Sequence, residues 1–265
     1  MKQSERPEQK KECQQMRYSQ KKIYRCSALM PFYYADRPEW LQEALQSILA
    51  QESVEIDLVL VQDGPVRDQL TKVVDSIKLP ATVSLNHIVI SKNVGITKAL
   101  NEGLHNCKEK IIIRCDADDV NLPTRFRQLI EALGENLDVV GSNTIEVDEN
   151  NRPIMTKKMP LTAKDISAYA LFRNPINHNA VAYRKDIVVA SGGYPNLHKK
   201  EDYGLWVALL RNNARIGNID QVLVKARCPT AFFERRGGWD HLSSELGLLK
   251  MKHGAGLWSP DRVLI

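Results

Sequence analysis

Residues 111–125 read Ile111-Ile112-Ile113-Arg114-Cys115-Asp116-Ala117-Asp118-Asp119-Val120-Asn121-Leu122-Pro123-Thr124-Arg125. An apolar run of the length of a strand ends abruptly in three carboxylates, and a proline follows where a helix can begin. Three acidic side chains within four positions repel one another, so the folded protein needs a compensating positive charge here. The pattern predicts a strand that ends in a chemically active loop.

A divalent cation can supply that positive charge. Asp116 and Asp118 are two positions apart, so in an extended segment both side chains point the same way and can bind one hard ion through oxygen. Mg²⁺ and Mn²⁺ prefer such ligands, and Mg²⁺ keeps positions open for phosphate oxygens, which predicts a site for a nucleotide diphosphate with its metal. An alternative is that Asp118 or Asp119 caps a helix whose first turn contains Pro123.

Length and composition limit the class of protein. A chain of 265 residues with 43% hydrophobic and 26% charged residues is typical of one soluble domain, or of two closely packed halves. No apolar run approaches membrane-spanning length and no signal peptide is recognisable, so we expect a cytoplasmic protein. The five cysteines form no CxxC pair, which favours reduced thiols over a disulfide framework or a zinc site.

The excess positive charge is concentrated at the N-terminus. Residues 1–25 contain eight Lys/Arg and three Glu, a surplus of five that equals the net charge of +5 for the whole chain. We predict a solvated, disordered tail, with an electrostatic contact to anionic lipid as the alternative. The remaining residues show no basic stripe with interleaved aromatics, so we expect no nucleic-acid partner.

Strands and helices alternate before the acidic residues. Four apolar segments have the length and composition of buried strands, namely residues 27–33, 56–61, 85–90 and 111–114. Such alternation predicts a parallel sheet that collects its ligands at the carboxyl ends of the strands, where Pro31, Asp63, Asn93 and Asp116 lie. After Asp119 the pattern changes, and a hairpin is predicted with strand 143–147 and turn 148–151.

In the order of its motifs the sequence resembles the inverting GT-A glycosyltransferases of family 2, particularly the bacterial branch that builds O-antigen, capsule and exopolysaccharide. The motifs lie at residues 28–33, 60–65, 93–104, 116–119 with Pro123 and Arg125, 141–142, 174–178, 192–194 and 201–203. The resemblance implies an α/β GT-A fold with a mixed central sheet. It also implies a single Rossmann-like nucleotide-binding half at 26–120, an acceptor half at 121–231, and an amphipathic helical segment at 232–265.

The resemblance further implies a set of nucleotide-binding residues, which are Pro31, Tyr33, Asp63, Lys92, Asn93, Asp116 and Ala117. Asp63 would accept a hydrogen bond from uracil, Asp116 would touch the ribose or the metal, and Asp118 would bind Mn²⁺ or Mg²⁺. The family usually has Asp-Asp-Gly-Ser where this chain has Gln62-Asp63-Gly64-Pro65, so the pocket has one carboxylate fewer. His178 is a candidate to complete the metal shell or to touch the donor sugar, against an ordinary loop histidine.

For catalysis the resemblance implies that Asp202 is the general base, with Glu201 as the fallback. Capping of the helix that follows is the alternative for Asp202. Transfer with inversion needs a base on the acceptor hydroxyl and a countercharge for the departing diphosphate. The implied reaction moves a hexose or N-acetylhexosamine from a UDP-sugar to a lipid-diphosphate-linked saccharide. The C-terminal segment would pack against the body of the protein or touch the inner membrane.

Three other functions fit parts of the sequence. Residues 116–120 match the DxDx(T/V) pattern of haloacid-dehalogenase-type phosphohydrolases, but those enzymes have it on the first strand, whereas three strand–helix units precede it here. A nucleotidyltransferase would need a glycine-rich, arginine-containing loop after its first strand, which is missing. A catalytically inactive assembly subunit would need neither Asp118 nor Asp202, and both are present.

Overall fold

The computed structural model describes residues 22–228 and 239–256. In chain order their elements are β1 (Tyr24–Tyr33), α1 (Pro38–Leu49), β2 (Val54–Asp63), α2 (Asp68–Asp75), β3 (Val83–Ile90), α3 (Ile96–Asn106), β4 (Ile111–Arg114), β5 (Val120–Asn121), α4 (Arg125–Leu133), β6 (Val139–Val147), β7 (Pro153–Lys157), α5 (Ala163–Tyr169), a 3-10 turn (His178–Ala180), β8 (Val181–Arg184), α6 (Lys185–Ala190), α7 (Glu201–Arg211), β9 (Ile216–Arg227) and α8 (Trp239–Gly254).

One mixed sheet contains the nine strands of these residues, in the order β3-β2-β1-β4-β8-β6-β9-β5, with β7 paired to β6. Strands β3, β2, β1 and β4 are parallel, as the alternation of strands and helices predicts. From β4 onward the sheet changes direction, because β8 is antiparallel to both β4 and β6. The predicted α/β architecture with one Rossmann-like half is therefore present.

Both faces of the sheet are covered by helices. Alternate residues of β1 point to opposite sides, so Phe32 joins the core beneath α1, α2 and α4, whereas Leu29 joins the core beneath α3 and α7. Trp206 of α7 and Phe126 of α4 are fully buried in these two cores. A strand buried on both faces reads as a continuous apolar run, which is why the parallel half was recognisable.

The second half was only partly recognisable. The hairpin predicted at 143–151 is present as β6 and β7, which pair antiparallel. The sequence analysis missed β9, whose middle residues Ile219–Val222 are only partly buried or exposed and interrupt its apolar pattern. This strand pairs parallel with β6 and antiparallel with β5, and so brings Arg227 beside the acidic loop.

The predicted terminal segments fall partly outside the described residues. Residues 1–21 of the predicted tail lie outside, whereas Tyr24 and Arg25 belong to β1, so the boundary predicted at residue 25 was too late. Within the predicted segment 232–265, α8 packs against α7 through Leu248. None of the described helices combines the length and apolar composition needed to cross a membrane. Cys26, Cys107 and Cys115 are buried free thiols, as predicted.

Candidate active site at the carboxyl ends of the parallel strands

The three carboxylates after β4 lie together. Asp116, Asp118 and Asp119 each offer an oxygen within 4.8 Å of the others. Helix α4 begins only at Arg125, with Thr124 in the capping position. The alternative in which Asp118 or Asp119 caps this helix is therefore wrong, because both residues precede it by a loop and by the short strand β5.

Burial and mutual repulsion both raise the pKa values of two of these acids. Burial, followed by the charge of Asp116, raises the pKa of Asp118 to about 6. Burial and the charges of Asp118 and Asp116 raise the pKa of Asp119 well above its ordinary value. Clustered carboxylates with little water around them suit a hard divalent cation, which relieves their repulsion through oxygen coordination. The donor set therefore fits Mg²⁺ or Mn²⁺.

Buried arginines hold the acidic loop in place. Arg114, the last residue of β4, is buried and forms an ion pair with Asp116. The guanidinium of Arg227 donates to the carbonyl oxygen of Asp118 at 2.5 Å and forms an ion pair with Glu43. Asp119 accepts hydrogen bonds from the backbone amide of Arg227, at 2.9 Å, and from the side chain of Asn179. Asp119 thus joins the loop to β9.

A cavity of about 400 Å³ lies beside this loop. Its lining residues are Pro31, Phe32, Tyr33, Asp36, Asp63, Asn93, Gly95, Ile96, Ala99, Asp116, Ala117 and Asp118. The structure therefore brings together every predicted nucleotide-binding residue except Lys92, which is exposed and does not line the cavity. Among the lining residues, Asp36 is the one that lies outside the motifs of the sequence analysis.

Asp63 organises one wall of the cavity. Its two carboxylate oxygens accept hydrogen bonds from the backbone amides of Val94 and Gly95, at 2.7 and 2.9 Å. Gly64 allows the close approach, because its φ is +87° and an added Cβ would lie 2.5 Å from the backbone nitrogen of Asn93. Asp63 therefore fixes the loop before α3, and its predicted contact with uracil would add to this role.

Asp36 is a fourth acid at the cavity. Its carboxylate accepts a hydrogen bond from the backbone amide of Tyr33 at 2.7 Å. Burial raises the pKa of Asp36 to about 7, and the charges of Asp118 and Asp116 add to that effect. In the sequence, Asp36 is distinguished only by its position three residues after Tyr33, at the end of the strand. That position alone does not identify a site residue.

The predicted catalytic acids begin α7. Lys200 occupies the capping position, so the alternative in which Asp202 is the cap is wrong. Asp202 accepts hydrogen bonds from the backbone amide of Tyr203 at 2.7 Å and from the Asn174 side chain at 2.6 Å. Burial raises the pKa of Asp202. Burial and then the charge of Asp202 raise the pKa of Glu201 to about 7.

The two groups of acids belong to one electrostatic region. The charges of Arg114 and Asp116 both act on the pKa of Glu201, and the charge of Arg114 acts on that of Asp202. Neither Glu201 nor Asp202 lines the cavity beside the acidic loop. Glu201 and Asp202 are therefore close enough to the acidic loop to feel its charges, but they do not line the same cavity.

His178 does not join the carboxylates. Its Nε2 lies 3.1 Å from the hydroxyl of Tyr194, and its ring packs against Tyr194 and Trp206. Burial and then the charge of Arg114 hold the pKa of His178 well below its ordinary value, so the ring is neutral. Among the described residues the potential metal-binding group contains only aspartates, so the prediction of His178 as a metal ligand is corrected.

Comparison with known proteins identifies the family. The family model described as "Glycosyl transferase family 2" matches residues 27–194. The chain belongs to glycosyl transferase family 2. The matched region contains the acidic loop and all the predicted nucleotide-binding residues. The phosphohydrolase and nucleotidyltransferase interpretations do not fit this membership.

Two relatives of this family 2 chain are bacterial glycosyltransferases. It is 35% identical over 228 residues to the amylovoran biosynthesis glycosyltransferase AmsE of Erwinia amylovora. That alignment covers 85% of each chain. It is 36% identical over 223 residues to the UDP-Gal:alpha-D-GlcNAc-diphosphoundecaprenol beta-1,3-galactosyltransferase of Escherichia coli. That alignment covers 83% of this chain and 80% of the relative.

Solved structures establish the fold of this family 2 protein. The structure of S. aureus TarS 1–349 in complex with UDP aligns with a TM-score of 0.63 at 19% identity, covering 86% of this chain and 71% of that one. The complex of the same protein with UDP-GlcNAc aligns with a TM-score of 0.64, covering 89% and 66%. The GT-A fold expected from the motifs is thereby confirmed.

Proposed function

We propose that this protein is a metal-dependent, inverting glycosyltransferase of surface polysaccharide biosynthesis. It transfers a hexose or N-acetylhexosamine from a UDP-sugar to a saccharide carried on a lipid diphosphate, and it forms a β-linkage. The acceptor places the reaction at the cytoplasmic face of the inner membrane, where the protein would make peripheral contact.

The observation that carries this proposal is the position of the acidic loop. Asp116 and Asp118 line the cavity of about 400 Å³ at the carboxyl ends of the parallel strands, where α/β proteins bind nucleotides. When bound there by Asp118 and Asp116, Mn²⁺ or Mg²⁺ would supply the countercharge for the departing diphosphate. Tyr33 is half-exposed at the same cavity, which suits a ring that stacks on a nucleobase.

The comparisons support the choice of donor and acceptor. The Escherichia coli relative is named for UDP-Gal as donor and for a diphosphoundecaprenol-linked sugar as acceptor. The structural neighbour TarS has been solved with UDP and with UDP-GlcNAc. A mannosyltransferase of Pyrobaculum calidifontis with the same fold, at a TM-score of 0.57, has been solved with GDP-Man and Mn²⁺.

The acceptor-side acids supply the base. Asp202 would take the proton of the acceptor hydroxyl as that oxygen attacks the anomeric carbon. Its hydrogen bonds from Asn174 and from the Tyr203 amide fix the carboxylate in one orientation. Burial raises its pKa, which makes the Asp202 carboxylate a stronger base than an exposed aspartate.

The experiment is a screen of UDP-sugars with Mn²⁺ and a GlcNAc-diphosphate-lipid acceptor, in which released UDP and glycosylated lipid are both measured. We expect acceptor-dependent release of UDP with one or two donors. The Asp118→Asn variant should lose at least about 10³-fold in rate, because it removes a charge that holds the metal at the leaving group.

The matched control is Asp75→Asn, which makes the same change at an exposed carboxylate on α2. It should retain full activity, and circular dichroism should show the fold of both variants unchanged. Acceptor-dependent release of UDP that survives Asp118→Asn would contradict the metal site. A wild-type protein that releases no UDP with any donor would support the inactive assembly subunit instead.

A further inference from the structure

Three cations flank the predicted base without a carboxylate partner. Lys157 ends β7, Lys158 follows it, and Arg173 follows α5. All three side chains are exposed, and none forms an ion pair with any residue in the described part of the chain. We call these residues the acceptor-side cations.

Asn218 brings the two segments together. Its side-chain amide donates to the carbonyl oxygen of Pro160 at 2.7 Å and to that of Pro175 at 3.1 Å. The segment that contains Lys157 and Lys158 therefore runs beside the segment that contains Arg173. Because Asn218 is buried, this junction is a fixed part of the fold.

The same junction places the cations next to Asp202. Asn174, which directly follows Arg173, donates to the Asp202 carboxylate at 2.6 Å. The charge of Lys157 is close enough to lower the pKa of Asp202 against the effect of burial. A molecule whose hydroxyl reaches Asp202 would therefore have these cations within reach of its neighbouring groups.

Apolar side chains are exposed on the same two segments. Phe172 is 70% exposed and Leu161 is 42% exposed. Each lies within three residues of an acceptor-side cation. Cations interleaved with exposed apolar groups match a ligand with an anionic part attached to an apolar chain.

We propose that Lys157, Lys158 and Arg173 bind the diphosphate of the lipid-linked acceptor, while Phe172 and Leu161 contact the first part of its lipid. The proposal rests on the proposed function, because it assigns that acceptor to a surface. The cations bind the two negative charges beside the sugar, and so hold its hydroxyl at Asp202.

The test compares two acceptors that share one sugar. The first is GlcNAc-diphosphate on a short, water-soluble alkyl chain, and the second is a neutral GlcNAc alkyl glycoside. The variant K157Q/K158Q/R173Q should raise KM for the diphosphate acceptor by about thirtyfold, as expected for three exposed charge contacts. KM for the neutral acceptor and for the donor should stay within about twofold.

The control variant is K72Q/K78Q/K110Q, which removes the same charge from exposed lysines on other parts of the surface. It should leave both KM values unchanged. An equal rise for both acceptors, or no rise for either, would overturn the proposal. An unchanged KM for the soluble acceptor, combined with weaker binding to anionic vesicles, would assign the cations to membrane headgroups and would also overturn it.

A binding measurement separates this proposal from the proposed function. Calorimetry of the diphosphate acceptor without donor should give a Kd that rises about thirtyfold in the triple variant. If the wild-type protein transfers no sugar but shows this difference, the proposed function fails and the anion site stands. If it transfers sugar and the Kd is unchanged, the anion site fails alone.

Discussion

The two groups of carboxylates in this protein have different hydrogen-bond and ion-pair partners. On the nucleotide side, Asp116 has a buried cation as its direct partner, Arg114. On the acceptor side, Asp202 is held by a neutral side-chain amide and a backbone amide, and the buried Oε2 of Glu201 has no hydrogen-bond partner. The first group contains an ion pair with a buried arginine, whereas the hydrogen bonds to Asp202 in the second group come from neutral donors.

This difference separates two kinds of chemistry. Oxygens that are packed together and fixed by arginines can bind a cation without rearrangement, which is what a diphosphate leaving group requires. A carboxylate that burial has made more basic, with only neutral donors on it, is suited to take a proton near pH 7. A single residue change on either side should therefore affect one function and leave the other.

The largest effect is expected from Asp202→Asn. Loss of a general base should lower kcat by about 10²- to 10⁴-fold, while the Kd of UDP in the presence of Mn²⁺ stays unchanged. Asp118→Asn should instead weaken both kcat and UDP binding, since its carboxylate serves the metal. Steady-state kinetics and calorimetry on the two variants check this separation.

Two results would break the comparison. Full activity in Asp202→Asn would remove it as the base, and Glu201→Gln would then be the variant to examine. Weaker UDP binding in Asp202→Asn would mean that the acceptor-side acids also serve the nucleotide. Asp186→Asn, at an exposed position of α6, controls for the change of charge.

The nucleotide side was largely predictable from the sequence, for a physical reason. Parallel strands buried on both faces read as apolar runs, and their carboxyl ends meet at one edge, so the residues that end each run must lie together. Asp63, Asn93 and Asp116 were placed correctly by this rule. Lys92, which only the resemblance implied, is exposed and does not line the cavity.

The rest of the site depends on contacts between residues far apart in the chain. Asn174 meets Asp202 across 28 positions, and Arg227 meets Asp118 across 109 positions. No local periodicity encodes such contacts, and β9 was missed because its polar middle interrupts the apolar pattern. The sequence analysis did not use Arg114, although a cation at the end of an apolar strand needs a buried partner and therefore predicts an ion pair there.

A second prediction uses pH to test the role of desolvation on the acceptor side. The pKa of Glu201 is raised from 4.5 to about 7 in the folded protein. Between these values the folded state keeps a proton that the unfolded state has released, so the free energy of unfolding falls as pH rises through this window. Glu201→Gln removes this loss, so between pH 4 and pH 8 the variant should gain about 3 kcal/mol relative to wild type.

Urea unfolding of both proteins at several pH values measures this gain. Glu52→Gln, at an exposed glutamate, is the control for the change of Glu to Gln. A constant difference for Glu201→Gln would show that folding does not raise the pKa of Glu201, so burial would have no effect on its ionisation.

The smallest effect concerns the arginine that fixes the acidic loop. Arg227→Met removes hydrogen bonds to the Asp118 carbonyl and the Asn151 side chain, and it breaks the ion pair with Glu43. The free energy of unfolding should fall by about 2 kcal/mol, because charged hydrogen bonds at a buried site are lost while half-exposed Glu43 can turn to water. Arg127→Met, which breaks the exposed pair with Glu131, should cost less than about 0.5 kcal/mol.

The same two variants show whether rigidity of the loop matters for binding. Arg227 donates to the backbone of Asp118, and its charge also lowers the pKa of the Asp118 carboxylate, so the variant changes both the position of the loop and the charge beside it. We expect Arg227→Met to weaken Mn²⁺-dependent UDP binding about tenfold, whereas Arg127→Met leaves it unchanged. Equal UDP affinity in both variants, with the stability loss confined to Arg227→Met, would mean that the three aspartates reach the cation whether or not β9 holds them.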